Sequence, residues 1–122
     1  MPRSWNVEVT DECVEWLESL DEADFDAVDF SVDLLIGQGP LLDYPHSSKI
    51  GGSRHAHMRE LRVQSGGKPL RIFYAFDPIR SAILLIGGDK TGDKRFYDRL
   101  IPVADRLYDV HLDELRKEGL LP

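Results

Sequence analysis

The alternation of apolar and polar residues over residues 5–9 predicts a short strand, and two helical stripes follow it. The first stripe recurs at intervals of three and four residues: Cys13, Trp16, Leu17 and Leu20. Thr10 or Asp11 is placed to cap that helix, and Asp21 starts a second one. The second stripe has the same spacing: Phe25, Val28, Val32 and Leu35. Acidic residues occupy the other face of the second helix, so the pattern predicts an acidic helical hairpin over residues 10–37.

The middle of the chain has the pattern of a three-stranded meander. Residues 37–54 are rich in turn-forming residues and predict a surface connection. Three strands are predicted after it, over residues 57–64, 70–76 and 81–86. The sequences SGGKP and DPIR between them suit hairpin turns. The continuous apolar run ILLI predicts a central strand that is covered on both faces.

The remaining residues predict one long helix and complete an α+β order. After GGDKTG the apolar spacing is helical over about residues 94–118, and Gly119 is placed to end the helix. Pro102 fits either the first turn of this helix or a kink within it. The predicted order is therefore β-α-α-β-β-β-α, with the helices packed against a sheet in a single domain of residues 1–122.

Charge is distributed unevenly along this chain, whose net charge is −7. Residues 1–45 carry one basic and twelve acidic side chains, whereas residues 46–99 carry eleven basic and five acidic ones. A basic segment inside an acidic chain indicates an anion-binding face. A solvated face with chance clustering of cations is the alternative.

Hydropathy and cysteine usage favour a cytoplasmic protein. No apolar run approaches the roughly 20 residues of a membrane span, so we expect no membrane partner. The first twelve residues lack the apolar core of a signal peptide. Cys13 is the only cysteine, which excludes an internal disulfide and suits a reducing compartment.

Two arginines on neighbouring predicted strands form the first part of a candidate site. Strand alternation puts Arg62 on the face opposite Leu61, and it puts Arg71 beside Arg62 on what we expect to be the open side of the sheet. Neighbouring cations repel each other unless an anion joins them. That anion is either a ligand or Glu60, which would make a salt-bridged surface cluster.

The start of the last helix supplies further cations. Lys90, Lys94 and Arg95 lie before or within its first turn, where the helix dipole disfavours positive charge. Together with unpaired backbone N–H groups, they predict a phosphate site, with a solubility patch as the alternative. Gly87 and Gly88 are expected to let the backbone leave the sheet and turn tightly.

Other chemistries have weak signals in this sequence. GGDKTG lacks the order of a Walker phosphate loop. His55 and His57 are two ligands without an evident third, and the sequence has no recognisable nucleophile arrangement. We therefore expect neither a metal nor a cofactor.

Four segments, read in order, resemble the HigB-like, phage-derived-protein-like branch of the RelE toxin superfamily: HMRELRV, LRIFYAFD, LLIGGDKTGDKRFYDRLIP and ADRLYDVHLDEL. The resemblance is close over about residues 55–115. It implies an antiparallel sheet of the microbial ribonuclease type and the toxin of a type II toxin–antitoxin module. The resemblance further implies a metal-independent mRNA interferase, which generally cuts mRNA on the translating ribosome. The implied partner is a HigA-like helix-turn-helix antitoxin, through which alone operator DNA is bound.

The resemblance also implies roles for particular residues. The implied catalytic residues are Arg62, Arg71, Lys90 and Tyr97. Further contacts to RNA phosphates are implied for Lys94 and Arg95. By their charge, Arg59 and Arg99 are additional candidates for phosphate binding. This chain departs from the usual pattern in its acidic net charge and in Glu60, which stands where many members have a cation.

Two other functions remain open from the residues alone. The basic face would serve either an inhibitor that binds a host protein or a sequence-independent nucleic-acid-binding domain. The inhibitor would arrest growth without new RNA ends, and the binding domain would lose affinity steeply as salt rises.

Overall fold

The structure, a computed structural model, describes residues 4–121. This part of the chain forms five strands and three α-helices. In chain order they are β1 (Asn6–Val9), α1 (Asp11–Glu18), α2 (Glu22–Gln38), β2 (Ser47–Lys49), β3 (Arg59–Ser65), β4 (Lys68–Phe76), β5 (Ser81–Asp89) and α3 (Phe96–Lys117). The predicted domain of residues 1–122 includes residues 1–3 and 122, which lie outside the described residues.

The strands form one sheet in the order β1-β5-β4-β3-β2. The pairs β2–β3, β3–β4 and β4–β5 are antiparallel, whereas the pair β1–β5 is parallel. The α+β class and the predicted element order are confirmed, with one strand added. β2 lies inside the predicted surface connection, where Ser47 pairs with Leu61. Its sequence, SSK, is too short and too polar to show an alternating pattern.

Local signals account for the first hairpin and for both N-terminal helix starts. Gly66 and Gly67 join β3 to β4 at φ values of 54° and 81°, a conformation in which a Cβ atom is unfavourable. Thr10 accepts a hydrogen bond from the Cys13 amide at 3.0 Å and caps α1. Asp21 caps α2 in the same way, so both predicted helix starts are confirmed.

Helices cover both faces of the sheet and give it two apolar cores. α1 and α2 pack on the face that includes Leu61 and Ile72. α3 packs on the other face, over Phe73 and Leu85. The prediction that β5 is covered on both faces is confirmed. The expectation of an open side beside β3 and β4 is wrong, because alternation also places Phe73 on the face of Arg71 and α3 covers it.

Gly87 and Gly88 have a different role from the predicted one. Both remain within β5, so the backbone does not leave the sheet there. A Cβ atom at Gly87 would lie 2.4 Å from the Trp16 ring, and one at Gly88 would lie 2.9 Å from the Phe96 ring. The two glycines therefore let the aromatic rings of α1 and α3 approach opposite faces of β5.

The start of the last helix is also corrected. α3 begins at Phe96 rather than near residue 94, and Pro102 lies inside it rather than in its first turn. None of the helices in residues 4–121 combines the length and the apolarity needed to cross a bilayer.

Candidate functional site

Arg62 and Arg71 face each other across β3 and β4, and Glu60 contacts both of them. The strand register makes the two arginines direct partners. Glu60 Oε2 lies 3.3 Å from Arg62 Nη1, and Glu60 Oε1 lies 3.7 Å from Arg71 Nε. Glu60 and Arg71 are buried, whereas the Arg62 side chain is 27% exposed. The two cations are therefore neighbours as predicted, but the Glu60 carboxylate contacts both, and the Arg71 side chain is only 6% exposed.

Tyr97 and Ser48 complete the contacts of Glu60. The Tyr97 hydroxyl donates to Oε1 at 2.7 Å, and the Ser48 hydroxyl donates to Oε2 at 2.9 Å. Burial and, after it, the hydrogen bond to Glu60 raise the pKa of Tyr97 above its ordinary value of 10.0. Tyr97 is therefore a phenol at neutral pH, with a proton to donate.

Lys90 joins this group through the aromatic ring of Tyr97. Its Nζ lies 5.4 Å from the ring centroid, within the range of a cation–π contact. The structure thus brings together all four residues to which the resemblance assigns catalysis. We call Glu60, Arg62, Arg71, Lys90 and Tyr97 the Glu60 cluster. β3, β4, the end of β5 and the first turn of α3 hold it.

The Arg71 guanidinium retains an unused donor. Nη1 donates to the Leu70 carbonyl at 3.0 Å, but the buried Nε has no hydrogen-bond partner among the described residues. A buried donor without an acceptor costs free energy, so this nitrogen favours an added acceptor. Arg62 and Arg71 also line a cleft of about 190 Å³, together with Pro45 and Gln64. Two forked guanidinium groups beside a cleft suit an oxyanion with several oxygens.

The other four predicted cations lie outside the Glu60 cluster. Arg59 projects from the opposite face of β3, where its Nε donates to Ser47 Oγ at 2.9 Å. Arg99 is exposed and pairs with Asp93 at 2.7 Å. Lys94 and Arg95 are exposed in the turn before α3. Because successive side chains of a strand alternate between its faces, Arg59 and Arg62 lie on opposite faces of β3. Phosphate contacts by these four cations remain predictions.

Two aspartate side chains bond to backbone amides in the turn before α3, where a phosphate site is predicted. Asp89 Oδ1 accepts hydrogen bonds from the amide and hydroxyl of Thr91, at 2.9 and 2.6 Å. Asp93 Oδ1 accepts from the Arg95 amide at 3.0 Å. Short aspartate side chains thus occupy the Thr91 and Arg95 amides, which are therefore not available to a phosphate. A phosphate site at the start of α3 stays a prediction.

One group of three potential metal ligands occurs among residues 4–121, at the end of the sheet away from the Glu60 cluster. Ligand atoms of Glu8, Asp77 and His111 lie within 4.8 Å of one another. Asp77 Oδ2 already pairs with His111 at 2.8 Å, and its Oδ1 accepts from the Ser81 amide at 2.9 Å. These bonds tie α3 to the β4–β5 turn, which is sufficient reason for a buried aspartate. His55, which has only a weak metal-ligand signal in the sequence, hydrogen-bonds Asp109 at 2.8 Å.

Residues 15–109 match the family described as phage-derived protein Gp49-like, DUF891. The chain belongs to this family. It is 40% identical over 99 residues to a Mycobacterium tuberculosis protein named as toxin HigB2, an alignment that covers 80% of this chain and 49% of the relative. It is 45% identical over 92 residues to one named as toxin HigB3 from the same organism, covering 75% and 79%. The chain thus spans about half the length of the HigB2 relative.

Solved structures of RelE toxins share the fold. A mutant of Escherichia coli RelE in the free state superposes with a TM-score of 0.58 at 8% identity, covering 76% of this chain and 90% of that one. RelE in the archaeal RelE–RelB complex from Pyrococcus horikoshii gives 0.52 at 18% identity, covering 71% and 96%. The family match and the relatives named as HigB toxins confirm the resemblance to HigB-like toxins, and the solved structures show that the fold is that of RelE.

Of the residues in the site, sequence reasoning missed Ser48 and Tyr44. Ser48 lies on β2, and no apolar pattern marks that strand. The exposed Tyr44 ring has the Arg62 guanidinium carbon 5.1 Å from its centroid. An aromatic residue in a turn-rich connection beside a predicted basic face is the signal that marks this position.

Proposed function

We propose that this chain is the toxin of a type II toxin–antitoxin module and that its Glu60 cluster cleaves mRNA. One observation carries the site: Arg62 and Arg71 face each other beside a cleft, while the buried Nε of Arg71 has no hydrogen-bond partner among the described residues. The relatives named as toxins support the function.

The proposed reaction is attack of an RNA 2′-hydroxyl on its own 3′-phosphate. The O2′–P bond forms and the P–O5′ bond breaks, leaving a 2′,3′-cyclic phosphate and a 5′-hydroxyl. The reaction needs an acceptor for the 2′ proton, a donor to O5′ and cations for the charge on the phosphorane. Each positioned acid or base contributes about 10²–10⁴-fold, and charge stabilisation contributes a comparable or larger factor.

The Glu60 cluster contains a group for each task. Arg62 and Arg71 would bind the phosphate oxygens, with Lys90 adding charge nearby. Glu60 would accept the 2′ proton while Tyr97 gives its phenolic proton to O5′. Since Tyr97 already donates to Glu60 at 2.7 Å, return of the proton from Glu60 to Tyr97 would restore both groups.

Tyr44 provides a surface for an RNA base. Its ring is exposed and contacts the Arg62 guanidinium group, and the next residue along the chain, Pro45, lines the cleft. Single-stranded RNA is commonly held by stacking of its bases on aromatic rings. The net charge of −7 disfavours capture of free RNA by long-range attraction. We therefore propose that the ribosome presents the message, as the family resemblance implies.

The proposed partner that neutralises the toxin is a HigA-like helix-turn-helix antitoxin, with operator DNA bound only through it. The proposed place of action is the cytoplasm, where translated mRNA is found.

The function is tested by brief induction of the chain in bacteria, followed by mapping of RNA 5′ ends. We expect growth arrest and new 5′-hydroxyl ends within translated messages, which disappear when translation is blocked beforehand. Growth arrest without new ends would contradict cleavage and favour an inhibitor that binds a host protein. New ends that persist after translation is blocked would contradict the role of the ribosome.

A further inference from the structure

A second cleft, of about 560 Å³, lies at the other end of the molecule. It is formed by β1, the start of α1, the β4–β5 turn and the C-terminal half of α3. Five carboxylate side chains line it: Glu8, Asp11, Glu12, Glu114 and Glu118. The lining residues within the described part of the chain include no lysine or arginine. We call this the acidic cleft.

Exposed apolar side chains converge on the acidic cleft. The structure exposes nine large apolar residues within residues 4–121, and four of these line this cleft: Val9, Ile79, Val110 and Leu120. They are 37%, 40%, 49% and 51% exposed. Buried Ile83, Leu107 and Leu115 form the apolar floor between them. Apolar surface gathered inside a charged rim is characteristic of a protein-binding surface.

The acidic cleft is remote from the Glu60 cluster. Tyr97 and Glu114 lie at opposite ends of α3, and at 1.5 Å per residue they are about 25 Å apart along the helix axis. The carboxylates of the cleft also repel RNA phosphates. A small occupant of the cleft therefore does not reach the cluster, and the carboxylates disfavour RNA as the occupant.

We propose that the acidic cleft docks a basic amphipathic segment of the antitoxin. This inference rests on the proposed function, because the antitoxin is the partner that the function requires. The segment places apolar side chains on the floor and lysine or arginine side chains against the carboxylate rim. Charge complementarity selects this occupant, since an acidic or a purely apolar segment would leave five carboxylates without partners.

The test uses the protein encoded by the reading frame next to the gene for this chain. Calorimetry measures the affinity of that protein for the full chain carrying Arg71→Ala and Lys90→Ala. These two substitutions are expected to remove toxicity, so the chain can be produced in bacteria. Two variants of that chain alter the cleft: Val110→Asp, and Glu114→Lys with Glu118→Lys. The control is Phe30→Asp, since Phe30 is 63% exposed on α2, away from the cleft. A salt series from 50 to about 500 mM NaCl accompanies each measurement.

We expect both cleft variants to weaken binding about tenfold or more, while Phe30→Asp leaves the affinity within twofold. Affinity should also fall as salt rises. Equal affinity for all variants would contradict the proposed docking surface but not the proposed function. Absence of binding to every form would overturn both the docking surface and the antitoxin part of that function. Concentration-dependent self-association that Val110→Asp abolishes would assign the cleft to a second copy and also overturn the proposal.

A growth assay separates the docking surface from catalysis. Val110→Asp, as the single substitution in the chain, should arrest growth fully. Co-expression of the protein encoded by the adjacent reading frame should not restore growth. Rescue equal to that of the unaltered chain would contradict the proposal.

Discussion

Arg62 lies directly opposite Arg71 in the β3–β4 pair, and the carboxylate of Glu60 contacts both guanidinium groups. Opposed cations are unfavourable in a sheet unless an anion lies between them. Glu60 supplies one negative charge for two cations, with Lys90 close by. The resting cluster therefore keeps an excess of positive charge, which a phosphate would neutralise.

Replacement of Glu60 by glutamine should lower the free energy of unfolding by about 3 kcal/mol. Glu60 and Arg71 are both buried, and removal of one partner leaves the other charge without compensation. Urea unfolding of Glu60→Gln beside the exposed control Glu15→Gln checks this. A stability equal to that of the control would show that Glu60 does not hold the cluster. Cleavage by Glu60→Gln at the unaltered rate would contradict its proposed role as proton acceptor.

Tyr97→Phe removes the hydrogen bond to Glu60 and the proposed proton donor but keeps the ring. We expect a loss of about 1 kcal/mol in stability and a fall of 10²–10⁴-fold in cleavage rate. Tyr108→Phe is the matched control, because its hydroxyl donates to the Phe76 carbonyl at 2.8 Å away from the cluster. It should lose comparable stability and retain cleavage. Equal cleavage rates for the two variants would exclude Tyr97 as the donor.

Gly87→Ala should destabilise the fold by about 1–3 kcal/mol, because the new Cβ would lie 2.4 Å from the Trp16 ring. Gly37→Ala is the comparison within α2, where a Cβ meets nothing within 4 Å. It should be neutral or stabilising by up to about 1 kcal/mol, since alanine favours helix over glycine. Thermal unfolding of both variants measures these two changes in stability. A smaller effect at Gly87 than at Gly37 would contradict close packing of α1 on β5.

Asp24 should make the stability depend on acid pH. A hydrogen bond from Lys68 and one from Ser65 lower the pKa of Asp24 below its ordinary value of 3.8. Because the folded-state pKa is depressed, this contribution is present above the unfolded pKa and disappears as pH falls through the folded value. The difference in unfolding free energy between the unaltered chain and Asp24→Asn should therefore shrink on acidification below about pH 4.

Lys68→Met removes the lysine partner of Asp24 and should reduce this acid-dependent difference to the part that the Ser65 hydrogen bond supplies. A difference that stays constant down to pH 2 would show that Asp24 does not form the pair in solution.

The sequence predicted the parts of the fold that depend on local geometry. The two glycines at positive φ mark the β3–β4 turn, and Thr10 and Asp21 mark both N-terminal helix starts. β2 was missed because its three polar residues pair only through tertiary contact with β3. The role of Gly87 was missed because no local pattern shows which ring will approach a strand.

The sequence predicted which residues form the site, but not how deeply each of them is buried. Alternation placed Arg62 and Arg71 side by side, the cations at the start of the last helix added Lys90, and the family resemblance added Tyr97. Burial of Arg71 depends on where α3 crosses the sheet, which the sequence pattern does not specify. Arg59 was grouped with the site from its charge, although its side chain projects to the opposite face of β3.

The most direct test of the catalytic cluster is the rate of mRNA cleavage in a purified translation reaction. The unaltered chain is compared with Arg71→Ala plus Lys90→Ala and with Arg106→Ala plus Arg116→Ala, which removes the same charge from exposed positions on α3. Circular dichroism checks that each variant is folded. If the variant with Arg71→Ala plus Lys90→Ala is not folded, Arg62→Ala replaces it. We predict that loss of the cluster cations slows cleavage at least 100-fold and that the control stays within twofold. Cleavage at the unaltered rate by the folded cluster variant would contradict the assignment of catalysis to this site.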